Sequence, residues 1–162
     1  MRGRAAPASL WTVVAAALFA FPAHATEFTG KPKIVDGDTL EIAGRTITLF
    51  GLDAPEPGQT CHRDGKIWDC GREATYALAF ETAEHWLNCI ARGVDARGRL
   101  RASCAIGPYD LGKIMVRKGW ALAERTASDM YVDAEAAAQR DGAGIWRGEF
   151  EAPWTWRPRA RR

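Results

Sequence analysis

The chain has 162 residues, with 22 Lys or Arg and 20 Asp or Glu, which gives a formal net charge of +2 at pH 7. The first 25 residues hold two arginines and no acid, so the other 137 carry 20 basic and 20 acidic residues. That length suits one domain, and the even balance is unlike the basic excess of a general nucleic-acid coat. Any anionic ligand therefore needs a local cluster of cations.

The first 25 residues have the pattern of a secretory signal peptide. Arg2 and Arg4 precede an apolar run at 10–21, and the small-x-small sequence AHA follows at 23–25. The run is about a dozen residues long, shorter than the roughly 20 of a membrane-spanning helix. We predict cleavage after residue 25 and a periplasmic or secreted protein.

Three β-strands are predicted first. The stretch KPKIVDGDTLEIAG indicates two strands around a turn at Asp36-Gly37, because Asp-Gly favours tight hairpin turns. The alternating, β-branched stretch RTITLFGL indicates a third strand. Residues 57–70 have the composition of a loop, since proline, glycine and aspartate recur there.

Helices and strands then alternate. The amphipathic stretch REATYALAFETAEHWLN predicts a helix, and CIARGVDARGRLRASCAI predicts two strands with a turn near 93–98. DLGKIMVRKG predicts a short helix that Asp110 caps and Gly119 ends. WALAE predicts a brief strand and MYVDAEAAAQRDG a third helix. This order predicts an α+β, mainly β fold, a small antiparallel barrel with helices at its flank and end.

The four cysteines are Cys61, Cys70, Cys89 and Cys104. An even number in an exported chain indicates disulfides, and the absence of a C-x-x-C pair argues against a four-cysteine zinc site. Of the three possible pairings we favour chain neighbours, Cys61–Cys70 across a loop and Cys89–Cys104 across the predicted hairpin. Each would stabilise the fold by roughly 3 kcal/mol in the chain-entropy model.

Acidic residues are crowded into residues 33–61. Asp38 and Asp53 are predicted at the ends of neighbouring strand segments, where converging carboxylates repel each other unless a cation lies between them. Oxygen ligands without histidine favour Ca²⁺ or Mg²⁺ over zinc. We expect both acids to be partly exposed, with Glu56 placed to hold a water molecule.

Arginines supply the opposite charge. Arg97, Arg99 and Arg101 alternate along a predicted strand, so their side chains should share one face. A guanidinium matches the geometry of a phosphate and stabilises the charge of its transition state. Metal, carboxylate base and arginine together indicate phosphodiester hydrolysis. The basic C-terminal tail, residues 154–162, is either a solvated, frayed segment or an auxiliary attraction for phosphates.

The ordered motifs VDGDTL, LFGLDAPE, D-x-x-GR, MVRKGWA and IW lie within residues 33–146. Their sequence and order resemble the staphylococcal nuclease (thermonuclease) family. The resemblance implies a five-stranded OB-fold-like barrel with three flanking helices, which we assign to residues 26–153. It also implies a nuclease that acts on DNA or RNA and uses Ca²⁺.

The resemblance assigns roles to individual residues. It implies that Ca²⁺ is held by two carboxylates and one backbone carbonyl, those of Asp38, Asp53 and Ala54. Asp36 falls on a supporting acid, Glu56 on the general base or orienter of the attacking water, and Arg99 on a phosphate-binding arginine. Arg117 and Glu135 fall on a pair that is structural in the family.

One position departs from the family pattern. The family's second phosphate-binding arginine falls on Thr48, and Arg45 lies an odd number of residues away, on the opposite face of a regular strand. Two hypotheses remain. The chain is an active Ca²⁺-dependent nuclease in which Arg97 or Arg101 offsets the missing charge, or it is a catalytically weak or inactive domain that binds nucleic acid. In both, we expect a monomer with single-stranded DNA or RNA as its partner.

Overall fold

The structure is a computed structural model, which describes residues 26–96 and 98–160, without the side chains of 158–160. The predicted signal peptide and Arg97 lie outside the described residues. Within the described part of the chain, no helix is long and apolar enough to cross a membrane.

The described residues form eleven β-strands and four α-helices. The strands are β1 (Glu27–Gly30), β2 (Lys33–Ile34), β3 (Thr39–Ile42), β4 (Arg45–Leu49), β5 (Leu52–Asp53), β6 (Thr60–Arg63), β7 (Lys66–Asp69), β8 (Leu87–Val94), β9 (Leu100–Ile106), β10 (Tyr109–Asp110) and β11 (Leu122–Ala123). The helices are α1 (Cys70–Thr82), α2 (Leu111–Arg117), α3 (Val132–Arg140) and α4 (Pro153–Ala160), with a short 3-10 helix at Gly144–Arg147.

A curled mixed sheet forms the centre of the fold, in the order β1-β8-β9-β4-β3-β2, with β10 paired to β9. The α+β, OB-fold-like prediction is confirmed, although the sheet has seven strands rather than five and the described residues form four α-helices rather than three. The antiparallel prediction is wrong at one pair, because β4 and β9 run parallel. Parallel neighbours need a crossover connection, which α1 and β8 supply here, and strand periodicity does not reveal which strands become neighbours.

Two boundaries differ from the sequence prediction. Helix α1 ends at Thr82 rather than continuing to Asn88, because Glu84 has φ +61° and Leu87 already pairs in β8. The predicted loop at 57–70 contains the β6–β7 hairpin. Its turn residues, Asp64 and Gly65, both have positive φ, the geometry that favours Asp-Gly in two-residue hairpins.

Both predicted disulfides are confirmed. Cys61–Cys70 joins β6 to the first residue of α1. Cys89 and Cys104 are direct partners in the β8–β9 register and form the second bond. Each bond therefore closes a local unit of the fold, and the first lies beneath the segment that leads into α4.

The C-terminal tail is ordered as far as the structure describes it. Phe150 packs edge-on against Trp146, with ring centroids 4.8 Å apart, and Ala152 packs against the cluster around the first disulfide. The buried Gln59 donates from Nε2 to the carbonyl of Glu151 at 2.7 Å. Helix α4 starts at the buried Pro153. These contacts anchor the segment just before the tail, and residues 154–160 of the tail continue from it as helix α4.

The implied pair of Arg117 and Glu135 has other partners. Glu135 is buried, and its carboxylate accepts from the backbone N–H of Ala123 at 2.9 Å and from Arg125 at 2.6 Å. Arg117 pairs with Asp141 at the surface. Because Ala123 pairs with Leu52, the residue before Asp53, Glu135 supports the strand that carries a candidate site residue.

We predict that Glu135→Ala lowers the free energy of unfolding by about 3 kcal/mol, because it leaves a buried N–H and a guanidinium without their acceptor. Arg117→Ala removes an exposed ion pair and should cost less than about 1 kcal/mol. Urea unfolding of both variants measures the difference. Equal losses would contradict the supporting role of Glu135.

Candidate active site

A cleft of about 340 Å³ opens beside residues of β3, β4, β5 and β9. Nine charged side chains line it, the acids Asp36, Asp38, Asp53, Glu56, Asp95 and Glu124 and the arginines Arg99, Arg101 and Arg157. The structure therefore brings together all the charged candidate residues that it describes. Asp95, Glu124 and Arg157 are additions to the residues predicted from the sequence.

The turn between β2 and β3 positions the first two acids. Asp36 Oδ1 accepts from the backbone N–H groups of Asp38 at 3.1 Å and Thr39 at 2.7 Å, so Asp36 holds the turn. Asp38 Oδ1 accepts from the Thr39 hydroxyl at 2.9 Å, and Oδ2 accepts from the Ala54 N–H at 3.0 Å. Asp38 thus ties the start of β3 to the end of β5.

The two acids predicted to hold a cation are more buried than expected. Asp38 is 8% exposed and Asp53 is 7% exposed, so the expectation of partial exposure is wrong. Burial raises the pKa of Asp38 well above its usual value, and the charges of Asp36 and Asp53 raise it further. Burial also raises the pKa of Asp53, against the opposing effect of Arg157. Ionised carboxylates in such surroundings need a compensating cation.

The donor chemistry of these residues fits a hard divalent cation, since they offer carboxylate and carbonyl oxygens. Among the described residues, no group of three or more His, Cys, Asp or Glu side chains is arranged to hold a metal ion. Arg157 donates from Nη2 to Asp53 and from Nε to Glu56. A guanidinium supplies the compensating positive charge between these two acids.

The other two arginines have scaffold partners. Arg99 donates from its backbone N–H and its Nε to the carboxylate of Asp95, at 2.8 and 2.7 Å. Arg101 pairs with Glu124 and lies over the ring of Phe50, 5.2 Å from its centroid. Arg99 precedes β9 in the hairpin turn and Arg101 lies within the strand, yet both line the cleft, as their spacing predicts.

Thr48 lines the wall of the cleft and is 9% exposed. Its hydroxyl has no hydrogen-bond partner among the described residues. Arg101 is its partner in the strand register, and the Nε of Arg101 likewise has no partner there. Arg45 is exposed and is not among the residues that line the cleft, as alternation predicts. Two buried donor groups beside the cleft therefore lack acceptors among the described residues.

Sequence reasoning missed the cleft acids Asp95 and Glu124, and it missed Arg157. Its only signal was the arginine content of the tail, which indicated attraction to phosphates in general. Nothing in its spacing relates it to Asp53, which lies 104 residues earlier in the chain. The contact depends on where α4 docks.

Comparison with known proteins supports this picture. The family model described as "Staphylococcal nuclease homologue" matches residues 46–148. The chain is also 36% identical over 154 residues to the succinoglycan biosynthesis protein ExoI of Rhizobium meliloti (strain 1021), covering 92% of this chain and 81% of that protein. The family match includes Asp53, Glu56, Arg99 and Arg101 and ends before α4. The chain belongs to the staphylococcal nuclease homologue family.

Proposed function

We propose that the chain is an exported, Ca²⁺-dependent nuclease that hydrolyses phosphodiester bonds in single-stranded DNA or RNA. The observation that carries the proposal is the single cleft that Asp38, Asp53, Glu56, Arg99 and Arg101 all line. Export is supported by the two disulfides, which form and persist in oxidising compartments, and by the signal-like pattern of residues 1–25.

The residues divide the chemistry between them. Asp38, Asp53 and the carbonyl of Ala54 would hold Ca²⁺, which supplies Lewis-acid polarisation of a phosphoryl oxygen. Glu56 removes a proton from a water molecule as the water oxygen attacks phosphorus. One P–O ester bond then breaks, and the leaving oxygen takes a proton from solvent water. Arg99 and Arg101 stabilise the charge on the non-bridging oxygens.

The acid partners of the arginines serve this role. Asp95 fixes Arg99 and Glu124 fixes Arg101, so neither guanidinium has to be ordered when a phosphate arrives. Donors held in place before the reaction stabilise a transition state without further reorganisation. Both pairs lie partly shielded from solvent, which strengthens their effect on a bound phosphate.

The direct test is incubation of the purified protein with single-stranded DNA and RNA, with Ca²⁺ and with a chelator. We expect cleavage only with Ca²⁺. We predict that Glu56→Gln lowers kcat by about 10²-fold or more, the scale of a lost general base, while Ca²⁺ still raises the Tm. Cleavage that survives chelation would contradict the metal site, and an unchanged rate in Glu56→Gln would place the base elsewhere.

The second candidate function is nucleic-acid binding with little or no turnover. It is favoured by the uncharged Thr48 in the cleft wall and by Arg157, which pairs with the proposed base. This function predicts no Ca²⁺-dependent cleavage and unchanged affinity for an oligonucleotide in Glu56→Gln. The relative is named for succinoglycan biosynthesis, a name that identifies no ligand, and the arginines of this cleft favour an anionic one.

A further inference from the structure

Helix α4 delivers Arg157 to the cleft from an anchored position. The Gln59 amide holds the carbonyl of Glu151, and Pro153 is buried at the start of the helix. The backbone N–H groups of Thr155 and Trp156 both donate to the carbonyl of Ala152, which closes the first turn. The guanidinium of Arg157 therefore reaches the cleft from a fixed point of the backbone.

The partners of Arg157 differ in kind from those of the other cleft arginines. Arg99 and Arg101 pair with Asp95 and Glu124, to which the proposed mechanism gives only an orienting role. Arg157 pairs with Asp53 and Glu56, the proposed metal ligand and the proposed base. In the proposed mechanism a cation neutralises Asp53, and Glu56 contacts the attacking water. The guanidinium of Arg157 then needs another acceptor in the same cleft.

Two other polar atoms of residues that line this cleft lack acceptors in the described part of the chain. The Thr48 hydroxyl and the Arg101 Nε are buried and have no hydrogen-bond partner among the described residues. Both atoms belong to residues that line the cleft that Arg157 enters. A phosphate brings several acceptor oxygens, and guanidinium groups bind such oxygens in pairs. The cleft thus collects three guanidinium groups, those of Arg99, Arg101 and Arg157, where one anionic group can bind.

We propose that Arg157 is a further phosphate-contacting residue, supplied to the active site by the C-terminal helix. It provides the guanidinium that the cleft wall lacks at Thr48, and it pairs with Asp53 and Glu56 until a phosphate of single-stranded nucleic acid takes their place. The part of this proposal that concerns catalysis rests on the proposed nuclease function. The part that concerns binding does not.

The test is binding of a phosphorothioate-linked single-stranded hexanucleotide, which resists hydrolysis, measured with Ca²⁺ at several salt concentrations. Arg157→Ala should weaken binding by about tenfold or more, as for a lost hydrogen bond to a charged group. The slope of log K against log salt should shrink by about 0.7, the value of one phosphate contact on a single strand. Arg157→Lys should restore the slope and part of the affinity.

Arg45→Ala is the matched control, because it removes one exposed arginine that does not line the cleft, and it should leave the slope unchanged. If Arg157 instead blocks the site, Arg157→Ala will bind more tightly and saturate at lower Ca²⁺. Either that result or an unchanged slope in Arg157→Ala would overturn the proposal. Cleavage assayed in parallel separates the two proposals. If the parent does not cleave, and the Arg157→Ala variant binds less tightly than the parent, the nuclease function is refuted and the phosphate contact is supported.

Discussion

Replacing Arg99 with alanine is expected to lower kcat on single-stranded DNA by about 10³-fold, the lower end of the range for a catalytic arginine in phosphoryl transfer. Asp95 holds Arg99 by two hydrogen bonds, so the donor is oriented before substrate arrives. Arg99→Lys keeps the positive charge but not the planar pair of donors, and it should recover only part of the rate. Single-turnover cleavage with saturating Ca²⁺ measures the effect.

Arg45→Ala again serves as the control, since it makes the same change of charge outside the cleft. A loss in Arg99→Ala no larger than the loss in Arg45→Ala would contradict the role of Arg99. The Tm of each variant should be measured as well, because Arg99 closes the turn between β8 and β9 through Asp95. A lower kcat at an unchanged Tm assigns the loss to chemistry.

Replacing Asp38 with asparagine is expected to abolish Ca²⁺-stimulated cleavage and the rise in Tm that Ca²⁺ produces. In the metal-free protein the same variant should be at least as stable as the parent. The asparagine can still accept from Ala54 N–H and can donate to the Thr39 hydroxyl. It also removes a buried negative charge that lies close to Asp36 and Asp53. Groups placed for function often lower stability in this way.

Thermal unfolding with and without Ca²⁺ measures the stability of the variant and the response of its Tm to Ca²⁺, alongside cleavage assays. Asp64→Asn is the matched control, because it removes one negative charge from an exposed hairpin turn away from the cleft. It should keep both cleavage and the response to Ca²⁺. A Tm of Asp38→Asn that still rises with Ca²⁺ would show that Asp38 does not bind the metal.

The close spacing of the site acids could be predicted because it is mainly local. Asp36 and Asp38 lie in one turn, and hydrogen bonds within that turn hold Asp36. Gly37 lies between them, and its role differs from the tight hairpin turn that was expected of the Asp-Gly pair. A Cβ on Gly37 would lie 2.8 Å from the Cβ of Ala54 and 2.9 Å from that of Ala74, so close packing excludes a side chain there. That requirement comes from the fold.

Strand periodicity and cysteine spacing also predicted the pairing of segments that are close together in the chain. The β3–β4 and β8–β9 pairs follow from alternation and nearby turns, and Cys89–Cys104 follows from the β8–β9 register. The parallel contact of β4 with β9 joins segments some fifty residues apart along the chain. Local preference carries no information on such a pairing, since many strands far away in the chain could form hydrogen bonds with the same strand edge.

Asp36, Asp38, Asp53 and Glu56, the arginines of the β8–β9 hairpin and the disulfide pairs depend on short-range pattern, and all were predicted from the sequence. Burial of Asp38 and Asp53 and the position of Arg157 depend on how distant segments pack. Arg157 lies 101 residues from Glu56, and its place in the cleft follows from the contacts of Phe150, Ala152 and Gln59 that dock α4. An arginine in a tail has no preferred partner by composition alone, because any acid at the surface offers similar attraction. Only the packed fold selects one.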